Sequence, residues 1–220
     1  MRTLTRFTTG CAIALTTACT TPQPEISHDG LSLKNSDEFT TVYVKPNAEF
    51  SQYQHVSVDG CQVAFKKNWQ RDQNSSRVAL TNRVTDKDVE KIKTQLSELC
   101  VQEFSRVLQS VPAESKQENL STTLVIKPSI INLDVVAPDI MSPNMSRTYT
   151  TSSGEMTLSL EIFDASSGEI MARIIDRRRQ LETMNYQWSN SVTNRSDAAR
   201  TLKSWANSLD ESLTQVMSKQ

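Results

Sequence analysis

Glycine, histidine and aromatic residues are scarce in this sequence, and each scarcity closes a class of chemistry. The five glycines stand at positions 10, 30, 60, 154 and 168. They lie too far apart to supply the clustered backbone N–H groups with which a Walker loop or a dinucleotide fingerprint holds phosphate. The two histidines, His28 and His55, cannot build a helical His-Glu-x-x-His zinc site or any ligand set of three imidazoles, so neither a metal nor another cofactor is expected. No excess of positive charge exists either. With 24 Lys plus Arg against 25 Asp plus Glu, the chain lacks the field that attracts a polyanion, and nucleic acid is excluded as a partner. Aromatic residues make up 6% of the chain, too few for the stacking platforms of a sugar cleft. The chain also has no Gly-x-Ser-x-Gly turn to present a nucleophilic serine.

What the sequence does contain begins at its N-terminus. Arg2 and Arg6 precede an acid-free apolar segment, Phe7 to Leu15, which has the form of a secretory signal and is too short to cross a bilayer. The run Leu15, Thr16, Thr17, Ala18, Cys19 resembles a bacterial lipobox, in which a small residue precedes the cysteine that receives lipid and becomes residue one. Thr16 stands where Leu is usual. The expected organisation is a lipoprotein signal peptide over 1–18, a lipidated tether over 19–38 attached through Cys19, and a single domain over 39–220. Cleavage nearby without lipidation, leaving a soluble periplasmic protein, is the alternative. Thr20 is not the aspartate that retains many lipoproteins in the inner membrane, which points to the outer membrane with the domain facing the periplasm. Thr20 to Pro24 is polar and carries two prolines, so it buries nothing and acts as a tether.

Periodicity then predicts the fold. Val42 and Val44, Val56 and Val58, and Cys61, Val63 and Phe65 alternate with polar neighbours, with a change of parity at Asp59-Gly60 that a bulge or turn would absorb. Thr85 is placed to cap a helix whose third residue is Asp88. Behind it Val89, Ile92, Leu96, Leu99, Cys100, Phe104, Val107 and Leu108 fall on one face. Thr122 to Val136 reads as a strand, and Pro128 within it implies an edge or a bulge. Met156, Leu158, Leu160 and Ile162 alternate in a further strand, joined through the turn Asp164 to Gly168 to Ile170–Arg177 as a hairpin. Ser196 can cap a last helix, with Ala198, Leu202, Trp205, Ala206, Leu209, Leu213, Val216 and Met217 on its apolar stripe. The expected class is α+β, a mainly antiparallel sheet with two amphipathic helices packed on one face.

Four groups of residues invite a functional reading. Cys61 and Cys100 lie on the apolar faces of a strand and a helix that must pack together, so an oxidising compartment would join them; two buried free thiols are the alternative. His55 lies within a strand and His28 beside the tether, positions that suit structural roles better than catalytic ones. Arg177, Arg178 and Arg179 would point to alternate faces at a strand end rather than grip one phosphate. The connection Pro138 to Gly154, with Met141 and Tyr149, and the later Tyr186 and Trp188, could form an apolar contact patch for a partner, or could simply pack on the sheet.

The segments Asp29-Gly30-Leu31, Val42 to Pro46, Tyr53, and Val63-Ala64-Phe65 with Trp69 resemble the bacterial domain-of-unknown-function family 3313 (DUF3313), as do Phe163 to Glu169 and Trp205-Ala206 further on. The likeness spans 28–217 and implies an exported lipoprotein of unsettled activity, with no catalytic residues to carry over. The reading that follows is a non-enzymatic envelope lipoprotein, held to a membrane by its N-terminal lipid, that binds or scaffolds another envelope protein. A periplasmic binder of a small molecule or lipid ranks second, and a hydrolase third.

Overall fold

The computed structural model describes residues 23–75, 83–112, 119–136, 148–150, 154–179, 187–189 and 191–218. Its elements run β1 (Ser32–Lys34), β2 (Thr41–Val44), β3 (His55–Val58), β4 (Gln62–Phe65), α1 (Trp69–Ser75) and α2 (Asp86–Val107), followed by a 3-10 turn at Leu120–Thr122. Then come β5 (Thr123–Val135), β6 (Thr148–Thr150), β7 (Gly154–Asp164), β8 (Ile170–Arg179), β9 (Gln187–Ser189) and α3 (Ser191–Met217). Seven strands make one sheet in the order β1-β2-β8-β7-β5-β3, with β4 also on β5, while β6 and β9 form a separate two-stranded ribbon. The class is α+β and the large sheet is mostly antiparallel; β3 and β4 alone lie parallel to β5. A parallel step between neighbouring strands needs a long crossover, and α1 and α2 supply it.

Pro128 does not mark an edge. β5 runs through the sheet's interior, paired with β7 on one side and with β3 and then β4 on the other, and Pro128 is fully buried. The interruption is in its neighbour. Asp59 donates its N–H to the Ile126 carbonyl at 2.9 Å, so Ile126 turns its backbone polar edge toward β3. Residues two apart along a strand turn the same way, so Pro128 aims its donor-less nitrogen between Val58, where β3 ends, and Gln62, where β4 begins. Gly60, with φ of 65°, lies in that break. The bulge expected of β5 occurs four residues later, between Ile131 and Asp134.

The longer helices follow their sequence signals closely at one end and less so at the other. Thr85 and Asp88 form a reciprocal capping box at the start of α2, which satisfies two of the first-turn N–H groups. α3 begins at Ser191, five residues before the expected cap at Ser196. A serine inside a helix can turn its hydroxyl outward without ending the backbone ladder, so the residue type alone does not set the boundary. α1 has no counterpart among the expectations, because its sequence after Trp69 is polar and only Trp69 is buried.

One continuous core joins Leu96, Leu99, Cys100 and Phe104 of α2 with Leu202, Trp205, Ala206, Leu209 and Leu213 of α3. It also contains Leu124, Ile126 and Ile130 of β5, Leu158, Leu160 and Ile162 of β7, and Ala172 and Ile174 of β8. Val216, expected on the same stripe, is exposed in the last turn of α3. Folded structure begins ahead of residue 39, inside the 19–38 stretch expected as a tether. Leu31 is 1% exposed, β1 pairs with β2, and Ile26 bridges to Ser32, so residues from the mid-twenties onward belong to the folded unit.

Candidate functional site

Among the residues nominated from sequence, the structure brings two pairs together. Cys61 and Cys100 are joined by a disulfide, with their Cα atoms 6.2 Å apart. The link fastens the start of β4 to the middle of α2, where Ser97 also donates to the Cys61 carbonyl at 2.6 Å. Tyr149 and Trp188 are Cα partners in the register of β6 with β9, so two residues 39 apart in sequence occupy one rung of the ribbon. Cys19, Met141 and Tyr186 lie outside the described residues. His55 pairs in register with Thr123 at the start of β3, and His28 is exposed in the turn before Gly30.

A cleft absent from the expectations lies where the β7–β8 hairpin turn meets the loop between β2 and β3. It encloses about 280 Å³ and its lining includes Lys45, Gln52, Tyr53, Asp164, Ser167 and Glu169. Asp164 organises it. One carboxylate oxygen accepts the backbone N–H groups and the hydroxyls of Ser166 and Ser167, at 2.6 to 2.9 Å. The other accepts the Tyr53 hydroxyl at 2.7 Å. This Asx-type closure, followed by Gly168 at φ of 70°, makes a turn that a residue with a β-carbon would strain. Lys45 and Glu169 pair across the mouth at 2.6 Å.

The electrostatics follow from those contacts. Burial alone would raise the Asp164 carboxyl, but hydrogen bonds from Ser166, Ser167 and Tyr53 outweigh it and hold the group well below the usual carboxylate range. Burial, and then the bond to Asp164, push the Tyr53 hydroxyl up to about 12. The pair is therefore a fixed anion and a proton that stays on its phenol, which suits structure and recognition better than proton transfer near neutrality. No short-range signal could have announced it, since Tyr53 and Asp164 are 111 residues apart.

Three further anion clusters hold the architecture. Asp176, 6% exposed, accepts from the backbone and hydroxyl of Thr40, from Trp205 Nε1 at 2.7 Å and from Arg178 Nε at 3.0 Å. Burial would raise it, but Thr40 and Trp205 keep it below its ordinary value. Arg178 also lies over the Trp205 ring and donates to Ser204, so β8 grips α3 through one charge-centred knot. Arg177 and Arg179 both reach Glu155 on β7. The arginine triplet thus divides between faces and is occupied by acids. On the sheet's other end, Arg173 bridges Asp29 and Glu161 at 2.6 and 2.8 Å, and with Ser27 holds Asp29 down at about 2. Among the described residues no three His, Cys, Asp or Glu side chains gather as a metal site.

The protein family described as "Protein of unknown function (DUF3313)" matches residues 25–209. No curated protein matches the chain. Among solved structures, the PelC dodecamer from Paraburkholderia phytofirmans is 10% identical, with 76% of this chain and 97% of that chain covered and a TM-score of 0.36. A point variant of the same dodecamer gives 9% identity, 77% and 98% coverage, and 0.35. A candidate lipoprotein from Caulobacter crescentus CB15 gives 13% identity, 55% and 81% coverage, and 0.33. Scores in this range do not establish a common fold.

Proposed function

Since the chain belongs to the DUF3313 family of proteins of unknown function, we propose that it is an exported envelope lipoprotein that is anchored through Cys19 and binds another envelope protein without catalysing a reaction. The place is argued from the N-terminus. Arg2, Arg6 and the apolar Phe7 to Leu15 form a signal, and the lipobox-like Leu15 to Cys19 supplies an acylation site. Thr20 in place of aspartate favours the outer membrane. No helix among the described residues is long and apolar enough to cross a membrane, so anchorage would fall to the acyl chains. In this reading 1–18 is removed, and α2 and α3 cover one face of the large sheet.

The observation that carries the binding reading is the ribbon of β6 and β9. It stands apart from the large sheet and sets Tyr149 opposite Trp188, and such aromatic residues dominate the energetics of protein interfaces. Photo-crosslinking in cells from Tyr149 and from Trp188 tests it. The expected result is the same envelope protein captured from both positions, with reciprocal capture when the photoreactive group is placed in that protein. Failure to capture a protein from either position refutes the ribbon as the binding element. A second reading, a binder of a small polar molecule, is favoured by the charged cleft at Tyr53 and Asp164; a lipid fits that lining poorly.

A further inference from the structure

The point at which the folded unit takes hold of its own N-terminus lies very close to the proposed anchor. Tyr43, itself 4% exposed, donates its hydroxyl to the Pro24 carbonyl at 3.0 Å. Leu33 donates its N–H to the Glu25 carbonyl at 2.8 Å, and Ser27 donates to the Leu31 carbonyl at 2.8 Å. With the bridge between Ile26 and Ser32, these bonds lay the first described residues along the free edge of β1. Pro24 is the fifth residue after Cys19. An extended chain advances at most about 3.6 Å per residue, so the two Cα atoms can be no more than about 18 Å apart.

That reach is short beside the molecule. A folded chain of this length is about 40 Å across. Six interstrand steps of about 4.8 Å separate the strand-like Glu25–Ser27 from β3 at the sheet's opposite edge, roughly 29 Å. The tether therefore cannot let the β3–β4 edge point down onto a bilayer that holds Cys19. An independent observation marks the same place: Ile26, two residues from the fixed Pro24, is 65% exposed, more than Val136 at 49%, Leu120 at 40% or Val216 at 37%. A branched apolar side chain left this open on an edge is what a lipid headgroup boundary accommodates.

We propose that the sheet edge carrying Ile26 faces the lipid surface, with the β3–β4 edge directed away from it. The proposal rests on acylation of Cys19. The orientation comes from the shortness of the tether together with its attachment at Tyr43, and Ile26 is the side chain it delivers to the headgroups.

The test uses the full, processed protein purified from membranes and reconstituted in phosphatidylethanolamine and phosphatidylglycerol vesicles. Photoreactive p-benzoylphenylalanine replaces Ile26 in one preparation and the exposed Gln62 of β4 in another, and intact mass reports both N-terminal acylation and phospholipid adducts. Because about 18 Å of tether keeps the two edges at different heights, adducts at Ile26 should exceed those at Gln62 by about fivefold. Equal or greater adduct at Gln62 in protein whose mass shows an acylated Cys19 overturns the orientation and leaves the anchor standing. An unacylated N-terminus in the same spectrum overturns the anchor, and the orientation with it. Inserting about twenty Gly and Ser residues after Thr21 should bring the two adduct yields together. A ratio that survives the insertion overturns the tether as its cause.

Discussion

Replacing both Cys61 and Cys100 by alanine should lower stability by about 4 kcal/mol, with the loss acting through the unfolded chain. The two residues are 39 apart in sequence. Chain-entropy arithmetic for a closed loop of that length gives about 13 cal/mol/K, or about 4 kcal/mol at room temperature. Cavity effects should add little, because the side chains are small and each alanine keeps its β-carbon. Paired replacement avoids leaving one buried thiol free to react. Urea unfolding followed by tryptophan fluorescence should show the midpoint falling by about 2 M for a slope near 2 kcal/mol/M, and the slope itself rising as the uncrosslinked chain expands. Thermal midpoints should fall by roughly 8–16 °C. A loss below about 1 kcal/mol with an unchanged slope would refute the argument. So would two alkylatable thiols in the denatured, unreduced wild-type protein.

Asp176→Asn should cost about 3 kcal/mol, since an amide turns donors toward Thr40, Trp205 or Arg178 and leaves part of the knot unmet; an unchanged thermal midpoint and near-ultraviolet circular dichroism would count against the knot. Gly154→Ala should destabilise by more than about 3 kcal/mol, because its new β-carbon would sit 1.9 Å from the Asp134 carbonyl oxygen. Gly60→Ala, with open space around it, should cost only about 1 kcal/mol for its positive φ, and similar losses for the two variants in urea would contradict this contrast. Asp29, Asp164, Asp176 and Glu155 are all depressed in the folded state, so the unfolded chain binds more protons in acid. Their stabilisation should be complete above about pH 5 and drain away as pH falls toward about 2; a thermal midpoint flat across that interval would show these contacts to be energetically idle.

Local pattern decided the elements whose cause is local. The alternation in β7, the capping box of Thr85 with Asp88, the turn at Asp164 to Gly168 and the apolar stripe of α2 depend on residues within a few positions, so the chain itself displays them. Cys61 with Cys100 was legible for a related reason: each lies on the apolar face of its element, and two apolar faces must meet. Tertiary structure decided whatever depends on a distant neighbour. Pro128 is tolerated inside the sheet because β3 and β4 are broken beside it, which only pairing across 67 or 68 residues reveals. Tyr53 meets Asp164, Trp205 meets Asp176, and Pro24 meets Tyr43 because a loop, a helix and the N-terminal segment fold onto the strands that carry their partners. Polar residues at such positions have the same local pattern whether they face water or one another, since hydrogen bonds depend on approach within about 3 Å and sequence spacing carries no such distance.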